Sequence, residues 1–277
     1  MFRRLSNSWE LTKASAQVLS ADKELMIFPL ISALTLMLVS AGFIAPMVML
    51  VDRNKDVEGP LGLAVTFAFY VVSYFVIFFC NSALVGAALI RLRGGDPTVA
   101  DGFRIAMGKV GVIFAYAIVA ATVGMALRAI QQRAGIFGRI ISGLFGMAWT
   151  LATFLVVPVL VNENLGPFEA VKRSTELLKK TWGEQVVGNF GVSAVLTLAG
   201  FGLTFIFVPL TFLAVTSEKP ALIMATVGGF VISLLVLALV GATLSGIYTA
   251  ALYRFASEGK MGEGFSPEMV KEAFRPA

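Results

Sequence analysis

Six stretches of this chain carry no charged residue and approach or exceed the length that crosses a lipid bilayer. They are Leu25 to Val51, Pro60 to Ile90, Val110 to Leu127, Ile140 to Val161, Val186 to Ser217 and Pro220 to Tyr253. About 20 apolar residues in a helix span a hydrocarbon core about 30 Å thick. Only helices and closed barrels satisfy their backbone groups in lipid, and the period-two alternation of a barrel strand is absent here, so the stretches read as helices. The chain is 57% hydrophobic and 14% charged, against about 45–50% and about 25% in a soluble domain. The expected fold is an all-α polytopic membrane protein with about six transmembrane helices and short amphipathic helices on the cytosolic face. The last stretch, 34 residues, is long for one crossing and contains Gly228-Gly229, but no polar turn divides it, so we expect one helix.

The basic residues set an orientation. With the N-terminus inside, the inner segments hold sixteen of the 22 Lys and Arg residues, which the positive-inside tendency favours. Both termini are then cytoplasmic, and the expected location is the cytoplasmic (inner) membrane. One connection runs against the rule, because Arg128, Arg133 and Arg139 fall on the outer side. The apolar stretch beginning at Leu25 starts too late and runs too long for a signal peptide, so it is expected to remain as the first span. Cys80 is the only cysteine, so no intrachain disulfide forms. The net charge of +5 points to anionic lipid headgroups on the inner side and not to nucleic acid.

The expected organisation is an interfacial amphipathic helix over residues 1–24, a six-span domain over 25–256 and a cytosolic tail with a short helix over 257–277. In the first segment Trp9, Thr12, Ala16 and Leu19 share a helical face, with Trp9 suited to headgroup depth. Pro29 falls in the first turn of the first span, where its missing N–H costs nothing. A pattern then recurs after the second, fourth and sixth stretches: a short connection, a proline (Pro97, Pro167, Pro267) and an amphipathic helix. At the first of these Asp96 is the expected cap and Pro97 the first helical residue. The recurrence suggests parallel two-span units, although any chain leaving a membrane needs a turn and a basic helix.

The runs "SWELTKASAQVLSADKELMIFPLISA" and "VVPVLVNENLGPFEAVKRSTELLKKTWGEQVVGNFG", with the tandem apolar stretches between them, resemble the bacterial and archaeal integral membrane family called domain of unknown function 6159. That resemblance implies a helical membrane fold and no known activity. A looser likeness is to the membrane domain that accompanies glycerophosphodiester phosphodiesterases. It implies only a lipid setting, since the chain has no histidine and no soluble domain for that catalytic site.

The chemistry inside the six stretches is neutral. Without histidine, and with no Asp, Glu, Lys or Arg in any of them, the chain carries no intramembrane proton relay or charge-coupled transport site of the usual kind. No metal, cofactor or catalytic group is expected, and the chain reads as a non-enzyme. Asn81, Ser82, Thr150 and Asn189 are the candidate intramembrane polar contacts, with packing against neighbouring helices favoured over lining a pore. Gly241, Ser245 and Thr249 recur every fourth residue, a small-residue face for packing within the bundle or, as the sharper alternative, in a homo-oligomer. In "VNENLGP", Glu163 can pair with the following basic helix or hold a headgroup, and Asn162 and Asn164 can cap helix ends; capping is favoured.

The helix after Pro167 sets Phe168, Val171, Thr175 and Leu178 against Lys172, Arg173, Lys179 and Lys180. Trp9, Lys172, Arg173, Lys179, Lys180 and Trp182 are therefore the candidate headgroup and interface residues. Membrane lipids with anionic headgroups are the expected partners. The favoured function is a membrane-organising or scaffold role at the cytoplasmic face; a channel or permease subunit is the alternative, and a membrane enzyme is the least favoured.

Overall fold

The computed structural model describes residues 2–52, 59–133, 135–182 and 191–260, and these are helical almost throughout. The elements are α1 (Phe2–Ala21), a 3-10 turn (Lys23–Met26), α2 (Ile27–Asp52), α3 (Pro60–Leu92), α4 (Val99–Gly108), α5 (Val110–Arg133), α6 (Gly135–Ala152), α7 (Val156–Asn162), α8 (Pro167–Trp182), α9 (Gly191–Thr216) and α10 (Pro220–Glu258). Among the described residues, six helical segments are long and apolar enough to cross a membrane, the fourth made of α6 and α7 together. Pro60 and Pro220 open α3 and α10 at the first helical position, where a missing N–H has no partner to lose. Gly94 turns the chain out of α3 at φ +87°, a backbone that side-chain-bearing residues rarely adopt.

The last span is one continuous helix of 39 residues, as its unpunctuated sequence suggested. The fourth is not continuous. It stops at Ala152 and resumes at Val156, because Pro158 has no N–H to bond the carbonyl of Phe154 and its ring clashes there. Pro46 and Pro209 sit inside α2 and α9 without interrupting either, so a proline alone did not mark the break.

Packing is concentrated at one end of the bundle. Phe28, Leu84, Leu89, Ile113, Leu160, Leu177, Ile247 and Leu252 are all essentially inaccessible. They come from the start of α2, the second half of α3, the start of α5, α7, α8 and the later part of α10. α1, α4 and α8 close this capped end: α1 lies against α9 and α10, α4 against α3, and α8 against α5, α6, α7 and α10. Toward the other end the large apolar side chains face outward, with Leu38 75%, Phe205 84% and Met224 71% exposed. In a membrane span that is a lipid-facing surface, whereas in water it would be an aggregation liability.

One amphipathic helix is rotated from its expected face and another starts later than expected. α1 buries Thr12, Ala14, Ser15, Val18 and Leu19 but leaves Ala16 exposed, because it packs on two spans and does not simply float on lipid. α4 begins two residues later than expected: Thr98 is the cap and Val99 the first helical residue, with Pro97 just outside. Thr98 wins because its hydroxyl accepts from Asp101 N–H while Asp101 accepts from Thr98 N–H, the reciprocal capping box. Pro167 does open α8. Pro267 and the predicted tail helix lie outside the described residues.

Candidate functional site at the capped end

The break in the fourth span frees backbone groups inside the bundle, and α8 supplies the partner. Ser174 Oγ accepts a hydrogen bond from Leu155 N–H at 3.0 Å, with both residues fully buried. On the capped side of the break, α7 ends in the VNENLGP turn, where Asn162 Nδ2 donates to Pro158 O at 3.0 Å. Glu163 gathers three elements there. Arg173 Nε from α8 donates to its two carboxylate oxygens at 3.2 and 3.1 Å, and Tyr253 Oη from α10 donates to Oε1 at 3.1 Å. Lys109, between α4 and α5, donates to Asn164 Oδ1 and, at 3.4 Å, to the carbonyl of Glu163. Glu169 takes Gly166 N–H at 2.9 Å, which leaves Arg173 to Glu163 and replaces the Glu169–Arg173 pair that the spacing allows.

A second ionic cluster ties the end of α3 to the junction of α1 with the 3-10 turn and to the end of α10. Arg91 meets Asp96 at 3.0 Å and Asp22 at 4.0 Å, and Glu258 takes Arg93 at 2.7 Å and Arg254 at 3.4 Å. Arg254 also donates to the carbonyl of Leu92. Burial raises the Asp22 carboxyl above its ordinary value of 3.8, with Arg91 pulling it back and Asp96 and Glu24 pushing further up. Asp101 moves the other way, lowered first by the hydroxyl and backbone N–H of Thr98 and further by Arg104.

This arrangement sorts the basic residues. Arg91, Arg93, Arg104, Arg173 and Arg254 are held in ion pairs, as their forked donors suit. Lys172, Lys179 and Lys180 are exposed on α8 and make no ion pair among the described residues. The buried line of α8 is Ala170, Ser174, Leu177 and Leu178, with Val171 and Thr175 half-buried and Phe168 74% exposed. The helix therefore rests on the spans by Ala170, Ser174, Leu177 and Leu178 and turns Phe168 outward.

The other sequence candidates are spread through the bundle. Trp9 lies in α1 and Trp182 ends α8, but their side chains, like Asn189 as a whole, lie outside the described residues. Asn81 is half-buried in α3, and the adjacent Ser82 is fully buried with its hydroxyl unpartnered among the described residues. Thr150 donates to Gly146 O of its own helix at 2.9 Å. Gly241 packs against Leu196 of α9, while Ser245 and Thr249 are half-buried and Thr249 bonds Ser245 O at 2.7 Å. A second close approach on α10 is made by Gly246, seated on Leu84 of α3. Ser174, Tyr253 and Gly246 were not singled out in the sequence; the i+4 partner of Ala170 at Ser174 was the one local signal available.

One cavity adjoins the break. It has a volume of about 340 Å³ and lies between α3, α5 and α6, lined by Tyr74, Phe78, Tyr116, Gly124, Trp149 and Thr153 among others. Aromatic side chains and a few hydroxyls give it a mixed wall within the usual size range of small-molecule sites.

Six apolar helical segments, packed at one end and lipid-facing at the other, define a polytopic α-helical membrane protein. The chain belongs to the family of unknown function DUF6159, matched over residues 60–265. The match includes the VNENLGP turn and α8, while the N-terminal run that also carried the resemblance precedes it. No curated protein matches the chain, and the looser likeness to the phosphodiesterase membrane domain gains no support.

Proposed function

We propose that the protein is a non-enzymatic component of the cytoplasmic membrane whose capped end faces the cytosol, rests on anionic lipid and organises membrane or partner proteins there. The observation that carries this reading is the sorting of basic residues on α8: Arg173 is turned inward onto Glu163, while Lys172, Lys179 and Lys180 are exposed. Lysines next to an anionic surface each contribute about 1 kcal/mol of attraction, and the charge count of the connections supports a cytosolic orientation. Phe168, exposed at the start of α8, adds an apolar contact at the same level.

Transport draws less support. A broken span is where transporters often hold substrate with freed backbone groups, but here Ser174 already takes the Leu155 N–H. The test is lipid retention by the purified protein from mixed membranes, read by native mass spectrometry. Replacing Lys172, Lys179 and Lys180 by Gln should lower the retained fraction of phosphatidylglycerol relative to phosphatidylcholine; an unchanged ratio would refute the reading.

A further inference from the structure

At the opposite end of the bundle, one of the arginines that run against the positive-inside pattern, Arg128, stands beside the mouth of the cavity. Arg128 is 18 residues along α5 from Val110, or about 27 Å at 1.5 Å per residue, which puts it near the far face of a hydrocarbon core about 30 Å thick. It is exposed, and its Nη1 donates to Tyr70 Oη at 3.0 Å. Tyr70 stacks on Tyr74 with ring centroids 6.1 Å apart, and Tyr74 stacks on Phe78 at 5.7 Å. Both Tyr74 and Phe78 line the cavity, as does Leu127, the residue before Arg128. A continuous aromatic wall thus leads from a guanidinium to the cavity floor at Tyr116 and Thr153.

The dimensions and the charge both select an occupant. From Leu127 to Tyr116 the cavity wall on α5 extends about 16 Å, close to the roughly 15 Å depth of one leaflet's hydrocarbon. Between Asp101 and Glu163 the sequence has no acidic residue, yet it carries Arg128, Arg133 and Arg139. Arg128 meets a neutral phenol, and Arg139 makes no ion pair among the described residues. A guanidinium with free donors at the interface suits a phosphate oxygen.

We propose that this cavity holds one acyl chain of an anionic phospholipid whose phosphate sits on Arg128, in the leaflet opposite the capped end. Gly146 lines the cavity and has nothing within 4 Å of the position its Cβ would take, so a larger side chain there fills the space without striking a neighbour at its base. Gly124 is tighter, since a Cβ there would come within 3.2 Å of Tyr74 Oη. This site is separate from α8 and does not depend on the lysines of the capped end.

Trp149 lines the cavity and gives a direct reporter. The chain has three tryptophans, so Trp9→Phe with Trp182→Phe leaves Trp149 alone. The full-length protein is reconstituted in phosphatidylcholine vesicles containing an equal minor fraction of either phosphatidylglycerol or phosphatidylcholine brominated on its acyl chains, and Trp149 fluorescence is measured. Brominated phosphatidylglycerol is expected to compete for the site about fivefold better, the preference one basic residue gives at a charged surface. Arg128→Gln should abolish that preference, and Gly146→Phe should weaken quenching by both lipids. Equal quenching by the two lipids, or a preference that survives Arg128→Gln and disappears with the three α8 lysines, would overturn the proposal. Should Gly146→Phe fail to fold, the lipid preference of the Arg128→Gln protein still decides.

Discussion

Ser174 of α8 and Leu155, in the gap of the fourth span, share a fully buried hydrogen bond between a hydroxyl and a backbone N–H. Removing the hydroxyl leaves that N–H without a partner in an apolar setting, at a cost of about 1–3 kcal/mol. Ser174→Ala should therefore lower stability by about that amount in reversible unfolding in mixed detergent, and Ser174→Thr, which keeps the oxygen, should lose less. Equal losses would show that the site responds to volume alone.

Glu163 joins α8 and α10 through Arg173 and Tyr253. The Arg173 pair is partly exposed, with side chains 38% and 23% accessible, so its coupling should be modest, about 0.5–1 kcal/mol. A double-mutant cycle of Glu163→Gln with Arg173→Gln measures it directly. Coupling near zero would mean that the contact positions α8 without adding stability.

Helix α4 is docked through Gly102, where an added Cβ would stand 2.7 Å from the carbonyl oxygen of Ala83 and also strike the Phe28 ring. Backbone does not yield as a side-chain tip would, so Gly102→Ala should destabilise the protein by about 1–3 kcal/mol. Thr98→Ala, which removes the cap of the same helix without touching that contact, should cost about 1 kcal/mol. Thermal unfolding of the two variants separates docking from capping.

Asp22 gives the protein a pH dependence of definite sign. Its carboxyl is raised in the folded state, so the folded protein binds the proton more tightly than the unfolded chain does. Stability from this group accordingly falls as pH rises from the ordinary value of 3.8 through the raised folded value, and is regained on acidification. Asp22→Asn should match or exceed the parent in stability at neutral pH and flatten the profile over that window, as read by melting temperature against pH. Asp101 acts oppositely: its lowered value means that its contribution is present above 3.8 and lost as pH falls through the folded value.

Sidedness follows from the proposed orientation. In intact cells, a cysteine placed at Lys180 should resist a membrane-impermeant thiol reagent until the membrane is permeabilised, while one at Arg139 should react at once. Cys80, being buried, serves as the unreactive background. Reversed labelling would place α8 on the outer side.

The spans were legible because lipid demands long uncharged runs, and hydropathy records that demand directly. Which face of a helix packs was less legible for the same reason. Apolar residues are at home against lipid, so the whole Phe168–Val171–Leu178 stripe did not have to turn inward: Leu178 is buried and Val171 half-buried, but the packed line runs through Ala170, Ser174 and Leu177, and Phe168 faces outward. The break at Thr153–Leu155 was hidden because its completion comes from Ser174, 19 residues later. Pro46 and Pro209 show that the proline signal alone is ambiguous. The sorting of arginines from lysines was equally out of reach, since it depends on where Glu163, Asp96 and Glu258 sit in space.

The unbroken α10 also fixes alignment. Gly246 is seated on Leu84 and Tyr253 is bonded to Glu163, seven residues farther along the same rod. A slide of one residue would move both by about 1.5 Å and rotate them by about 100°, unseating the glycine and breaking the phenol contact in one motion. The two contacts act like the wards of a key: α10 can enter the bundle in one register only, and any motion of the capped end must carry the whole helix with it.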